Sequence, residues 1–302
     1  MKKILFSTIV TVLTACGLYA QDVKFGIRGG VNMTNMATVK SSPVSDGYDG
    51  RLAPGWGIFT ELKYNPMVSF RFGVEYSGHG GKKDGMQAMP LMRLVTDMGN
   101  SIGMSITEQQ LMALGAFASS LPPYYYTNLE NTVKFDYVTI PLLAQFGWDI
   151  GTSPWRVYVN AGPFASFILS GKQVFKGTSK LFADESGTST LSDTWTATWN
   201  FLQATGAIPA EIISAVDEML PVIDKKINEP ATSSTTNITG EMKSANFGVT
   251  GNVGIRYQHN RNYFFLEVGC NYGFFTVQDS DANGSNRLSA ASVMLGYAFS
   301  LF

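Results

Sequence analysis

The chain has 302 residues, a formal net charge of −1 and only 15% charged side chains. So even a balance gives no electrostatic pull toward nucleic acid, and none is an expected partner. Few charges, 31 glycines and 13% aromatics suit a closed β-barrel or a large secreted β-sandwich.

Lys2 and Lys3 precede an apolar run over 4–13, and Leu18-Tyr19-Ala20 follows. This reads as a signal peptide over 1–20 cut after Ala20, which leaves 21–302 as one domain. The run falls short of the about 20 residues a spanning helix needs. A second reading stays open, because Leu13-Thr14-Ala15-Cys16 resembles a lipoprotein box with Cys16 as the lipidated residue. After a cut at Ala20 the mature chain keeps only Cys270, which cannot form an internal disulfide. Its parity places it on an apolar strand face, where it acts as a small hydrophobe. No later segment is apolar over about 18 residues, so any membrane crossing is by strands.

The first expected strand covers 23–33. Val23, Phe25, Ile27, Val31 and Met33 face one way, and Lys24, Gly26, Arg28, Gly30 and Asn32 the other. A polar loop over 34–52 leads to a strand at 54–64, the tight Asn65-Pro66 turn and a strand at 68–77. An insertion over about 78–131 carries no strand pattern. Leu91, Leu94, Val95 and Met98 have helical spacing, and Ser105 with Glu108 forms a capping box ahead of Leu111, Leu114, Ala118 and Leu121. Two short helices are expected there.

The strand at 133–148 has Val133, Phe135 and Tyr137 on one parity and Val138, Ile140, Leu142 and Phe146 on the other. A bulge near Tyr137 would reconcile them and accommodate Pro141. The turn over 149–154 precedes a strand at 155–169. In a second insertion, about 170–244, Pro209 opens a helix marked by Ile212, Ile213, Val216, Met219 and Leu220, which Pro221 kinks or ends. A Thr/Ser/Asn-rich mobile stretch over 231–239 follows. The last strands are 246–257, 263–274 and, after a loop over 277–286, one ending at Phe302, whose parity departs from that of Tyr297, Phe299 and Leu301.

Eight strands result, with long loops after the odd ones and short turns after the even ones. A transmembrane barrel with both termini inside sorts its loops in this way, and a soluble sandwich has no reason to. Tyr64, Trp148, Trp155, Tyr257 and Tyr263 all lie at the short-turn end, as an aromatic girdle would. The expected fold is therefore all-β: an eight-stranded antiparallel transmembrane β-barrel with helical insertions in its long extracellular loops.

The segments FGIRGGVN, VSFRFGVEYSGHG, FDYVTIPLLAQF, WRVYVNAGPFASF and ASVMLGYAFSLF make the strands resemble the PorT-like outer-membrane β-barrel proteins of Gram-negative bacteria. Tyr137 with Ile140-Pro141-Leu142, and Ala161-Gly162-Pro163, are the most specific short matches. The resemblance covers the strands and not the insertions. It implies an outer-membrane location and says little about activity, although a supporting role in protein secretion would follow from kinship with the founding member.

An eight-stranded barrel is just wide enough to be filled by side chains. The inward set includes Arg28, Glu61, Lys63, Arg71, Glu75, Arg156, Arg256 and Glu267, and mixed signs at mid-strand suggest a salt-bridged plug. A gated polar path is the alternative. Catalysis is disfavoured. His79 and His259 fall at opposite ends of the strands, too far apart to share a site; carboxylates such as Asp84 could lie near His79, but Ser77 is the only serine adjacent to it in sequence. No residues have metal-ligand spacing, and no phosphate loop or cofactor motif is present. The insertions are the candidates for activity, and Met86, Met89, Met92, Met98 and Met104 would suit an adaptable binding surface.

The expected function is a non-enzymatic structural or interaction protein of the cell envelope, embedded in outer-membrane lipid. Its helical cap would face an extracellular protein, peptide or lipid ligand. A narrow porin or transporter for a small or hydrophobic solute is the alternative, and an envelope lipid- or peptide-acting enzyme comes third.

Overall fold

The computed structural model describes residues 22–94, 117, 120–206, 213, 217 and 220–300. The leader with Cys16 and Ala20, the Ser105–Glu108 box and Phe302 lie outside the described residues.

Alternation of side chains builds eight long strands into one antiparallel ring. In chain order these are β1 (Asp22–Lys40), β2 (Asp49–Lys63), β3 (Val68–Lys83), β6 (Glu130–Asp149), β7 (Trp155–Ser179), β9 (Ala245–His259), β10 (Asn262–Thr276) and β11 (Ser285–Ser300). The ring closes where β1 meets β11, in continuous register from Lys24↔Ser300 to Thr38↔Asn286. Closure leaves the ring without a free edge. Outward positions are apolar: Ile27, Leu52, Trp56, Ile58, Leu142, Val253 and Leu295 are exposed on the ring's outer surface. Cys270 is exposed there too.

The short turns are built locally. Asn65 Oδ1 accepts from the amides of Met67 (2.9 Å) and Val68 (2.7 Å), which folds the chain between β2 and β3. Between β9 and β10 the turn is only Asn260-Arg261, and Asn260 takes the left-handed φ of 55° that asparagine tolerates. At the other end the strands outrun the sequence reading. The loop expected over 34–52 contracts to 41–48, because Thr34 and Met36 still alternate inward against exposed Asn35.

The strand β6 corrects the expected bulge. The ladder does shift between Asp136 and Tyr137, but the extra residue is Leu169 of β7: Tyr137 pairs with Ile168, and Asp136 with Ser170. Side chains of β6 do not change faces. Tyr137, Pro141, Leu143 and Gln145 all point inward with Val133 and Phe135. The apolar residues switch parity because the upper half of β6 serves the interior and the lower half serves the outer surface.

The insertions differ from expectation as well. The first holds a two-stranded ladder, β4 (Met86–Pro90) with β5 (Tyr124–Asn128), where no strand was expected. A helical turn at 91–94 follows β4. In the second, α1 (Leu191–Thr205) escaped the sequence reading. Its signals were present: Thr190 caps the amide of Asp193 (3.1 Å), Gly206 closes the helix at φ 64°, and Leu191, Trp195, Trp199 and Leu202 follow helical spacing. The helix expected there is present at Ile213 and Asp217, and α2 (Leu220–Asn228) runs on past Pro221, so the proline does not end it. The stretch read as mobile is a strand, β8 (Ala231–Asn237), paired to the upper part of β7. Leu91, Leu94, Phe117 and Leu121 of the first insertion share one core with Leu181, Trp195, Trp199 and Ile227 of the second.

Candidate functional site

The ring's interior is layered. Nearest the short turns lies an open cavity of about 440 Å³ lined by Lys24, Lys63, Arg156, Arg256 and Arg261, with Glu61 and Asp149. Above it the lumen is filled. Glu75, Arg28, Glu267, Arg71, Glu61 and Arg256 form one chain of alternating charge from wall to wall. The links are Arg28–Glu75 (2.6 Å), Arg28–Glu267 (3.0 Å), Arg71–Glu267 (2.5 Å), Arg71–Glu61 (3.7 Å) and Arg256–Glu61 (3.1 Å). Three arginines match three glutamates, so the chain carries no net charge. Neutral side chains add further hydrogen bonds: Asn160 donates to Glu267 (2.8 Å), Tyr263 to Glu61, and Arg71 also reaches Gln145 (2.9 Å), while Nε of Arg71 and of Arg256 has no hydrogen-bond partner among the described residues. Buried ions persist only when paired and hydrogen-bonded in this manner.

Aromatic rings pack the spaces between the ions. Phe59, Tyr158, Tyr263 and Phe265 form one buried group, and the Arg71 guanidinium lies 4.5 Å from the Phe59 ring centre. Three of these rings lie over glycines directly across the ladder: Phe59 on Gly26, Tyr158 on Gly254 and Phe265 on Gly296. A Cβ at Gly26 would stand 2.2 Å from Phe59 Cζ, so the glycines make room for the plug.

Two of the eight expected interior charges stand apart from this chain. Arg156 turns to the short-turn rim, where it holds Asp149 (3.0 Å) and donates to the carbonyls of Gly147 (2.9 Å) and Pro66. Lys63 lines the lower cavity beside it. Both sit within a few residues of a turn, where the lumen opens to solvent. Tyr263 also departs from expectation. It is fully buried inside the ring, whereas Tyr64, Trp148, Trp155 and Tyr257 face outward at that end. Parity held the signal, since Tyr263 shares its face with Glu267. Asn160, Asn252 and Gln145 were missed because a lone amide on a strand looks like any solvated residue.

Above the plug come two small polar spaces of about 40 and 10 Å³. His79 lines both. Its Nε2 lies 2.9 Å from Ser77 Oγ, and its Nδ1 has no hydrogen-bond partner among the described residues. Asp84 pairs with Lys82 instead (3.0 Å). His259 ends β9 at the opposite rim. Among the described residues no acid orients this Ser–His pair, and the space beside it is water-sized.

Next comes an apolar floor: Met36, Val133, Phe135, Tyr137 and Leu288 from the ring, with Ile238 and Val277 from the loops. Over it lies a second cavity of about 340 Å³, lined by Met36, Tyr48, Met89, Phe135, Gln173 and Arg93 among others. Arg93 faces Glu241 across its rim at 3.8 Å. The turn before α1 is set by Asp184, whose carboxyl is held below the usual range by the Ser186 hydroxyl and the amides of Thr188 and Ser189. Among the described residues no group of acids, histidines or cysteines could hold a metal ion.

Among curated proteins none matches the chain. Its structure is similar to that of Neisserial surface protein A (10% identity, 91% of this chain and 96% of that one, TM-score 0.34). It is similar also to the attachment invasion locus protein Ail of Yersinia pestis (10% identity, 93% and 100%, TM-score 0.32). A major outer membrane protein of Thermus thermophilus is a third (12% identity, 92% and 99%, TM-score 0.37). The family model described as "Outer membrane protein beta-barrel domain" matches residues 19–279. With that match over most of its length and a closed antiparallel ring, the chain belongs to the outer membrane protein β-barrel domain family and resides in the outer membrane.

Proposed function

We propose that this protein is a non-enzymatic structural or interaction protein of the cell envelope. Its long-loop end faces outward and presents the two packed insertions to an extracellular protein, peptide or lipid ligand. The orientation follows from loop length, since outer-membrane barrels keep short turns on the periplasmic side. One observation supports the reading: the unbroken chain from Glu75 to Arg256, with its aromatic packing, spans the lumen at mid-height. A barrel sealed at mid-height is a scaffold, and loops on a rigid scaffold carry function. The cavity of about 340 Å³ under β4 is of a size to take a small ligand or the side chains of a partner.

A narrow porin is the second reading. The cavities of about 440 and 340 Å³ on either side of the plug favour it, because they would serve as vestibules. An envelope enzyme is third, with His79 buried away from any substrate-sized space. Within the family, the strand segments quoted above support a PorT-like subgroup.

Conductance in planar bilayers separates the first two readings. The refolded chain, beside a variant lacking 81–127 and 172–242, is expected to give no unitary current. Current steps from the intact chain would overturn the scaffold reading. Steps from the shortened chain alone would make the insertions a gate.

A further inference from the structure

The outer surface of β6 divides by chemistry. From Trp148 up to Val138 its outward side chains include Trp148, Phe146, Leu142 and Ile140, all exposed. About ten residues at about 3.3 Å each, tilted by about 40°, rise roughly 25 Å, which is the height of a barrel's apolar band. The next outward residues, Asp136 and Lys134, therefore stand at headgroup depth. Trp56 and Tyr76 stack beside this boundary with ring centres 5.7 Å apart.

Lys134 lies directly across the ladder from Lys172 of β7. Both are exposed, and the ion pairs around them go elsewhere. Glu130 is shared by Lys82 (3.7 Å) and Lys176 (3.8 Å), and Asp136 accepts from the Tyr76 hydroxyl (2.5 Å). Like charges opposed across a ladder destabilise it unless an anion bridges them. The Leu169 bulge is what turns Lys172 outward to meet Lys134. Arg51 adds a third cation, whose charge the nearby Asp136 carboxylate partly offsets. Its guanidinium crosses Gly80 of β3, where a Cβ would come within 3.2 Å of Nη1, and donates to the His79 carbonyl (2.8 Å).

We propose that Lys134 and Lys172, with Arg51 beside them, bind the phosphorylated headgroup of an outer-leaflet lipid whose acyl chains lie on the apolar surface below. Two facing ammonium groups can each donate to one phosphate, and the flanking Trp56–Tyr76 pair fixes the depth at which it sits. The assignment rests on the outward orientation proposed above and not on whether the lumen conducts. Its test therefore fails independently of the conductance test.

The test is native mass spectrometry of the full protein released from micelles containing phosphatidic acid or phosphatidylcholine. The protein is expected to retain phosphatidic acid preferentially. The Lys134→Gln/Lys172→Gln double variant should bind it about tenfold more weakly, as loss of two charge-assisted contacts implies. Lys63→Gln, at the opposite rim, should bind as the parent does. Equal retention of both lipids, or a double variant that keeps the parent's preference, overturns the proposal. Displacement by millimolar inorganic phosphate overturns the lipid assignment in favour of a soluble anion. Heat-shifted gel migration reports folding of the double variant. Should that variant fail to fold, Lys172→Gln alone carries the test with an expected loss of about threefold.

Discussion

Two layers of side chains cross the lumen, built by opposite means. The lower closure is ionic: every one of its six charges comes from a ring strand, and the geometry is fixed by strand pairing alone. The upper closure is apolar and borrows Ile238 and Val277 from the loops that cross the mouth. A directional network needs a rigid frame, and the pleat of a closed ring supplies one. An apolar floor needs only area, so loops can contribute to it. The difference implies that damage to the insertions leaves the lower plug intact, whereas damage to the plug reaches the whole barrel.

The largest effect is expected from Arg71→Met. Arg71 bridges Glu267 and Glu61 in full burial, and its loss leaves both carboxylates short of a partner. Breaking a buried pair costs about 3–5 kcal/mol, and a double bridge belongs at the upper end. Urea unfolding in lipid vesicles, followed by tryptophan fluorescence, should show a midpoint shift of that size. An unchanged midpoint would mean that water reaches the network and that the plug is not dry.

The contrast also governs what the sequence could reveal. Strand parity placed Arg28, Glu61, Arg71, Glu75, Arg256 and Glu267 inside, because a period of two leaves a charged residue only two faces. The same parity fixed the outward belt. It could not say that Arg156 and Lys63 sit too near a turn to reach the centre, since depth depends on shear and tilt. Tyr263 is expected in the girdle only by its position along the strand, whereas its parity puts it inside with Glu267. In the insertions the periodicity is short and interrupted. The Thr190–Asp193 cap and the Trp195/Trp199 spacing were legible but lay in a segment read as loop. The pairing of β8 depends on β7 overrunning its expected end, which no local signal announces.

A smaller and more local loss is expected from Trp195→Ala. Trp195 is buried in the core shared by both insertions and meets Phe117 edge-on at 4.6 Å. Removing a buried aromatic costs about 3 kcal/mol or more. The loss should fall on the insertions: proteolysis within 180–244 should quicken while the barrel keeps its heat-shifted migration. If the barrel itself unfolds with the cap, the two closures are one cooperative unit and the contrast fails.

The smallest expected effect isolates the glycine side of the plug. Gly26 faces inward beneath the Phe59 ring, with a Cβ position 2.2 Å from Cζ, whereas Gly29 faces outward with its nearest neighbours 3.8 Å away. Alanine at either site reduces unfolded-chain freedom and, by itself, stabilises by about 0.5–1 kcal/mol. At Gly29 that gain should survive. At Gly26 the added methyl must displace Phe59, which also supports Arg71, and overpacking of that kind costs about 1–3 kcal/mol. The signs should therefore differ: Gly26→Ala lowers the urea midpoint and Gly29→Ala leaves it level or raises it. Equal effects at the two sites would mean that Phe59 moves freely. The aromatic packing would then be filler around the ions and not part of what holds them in place.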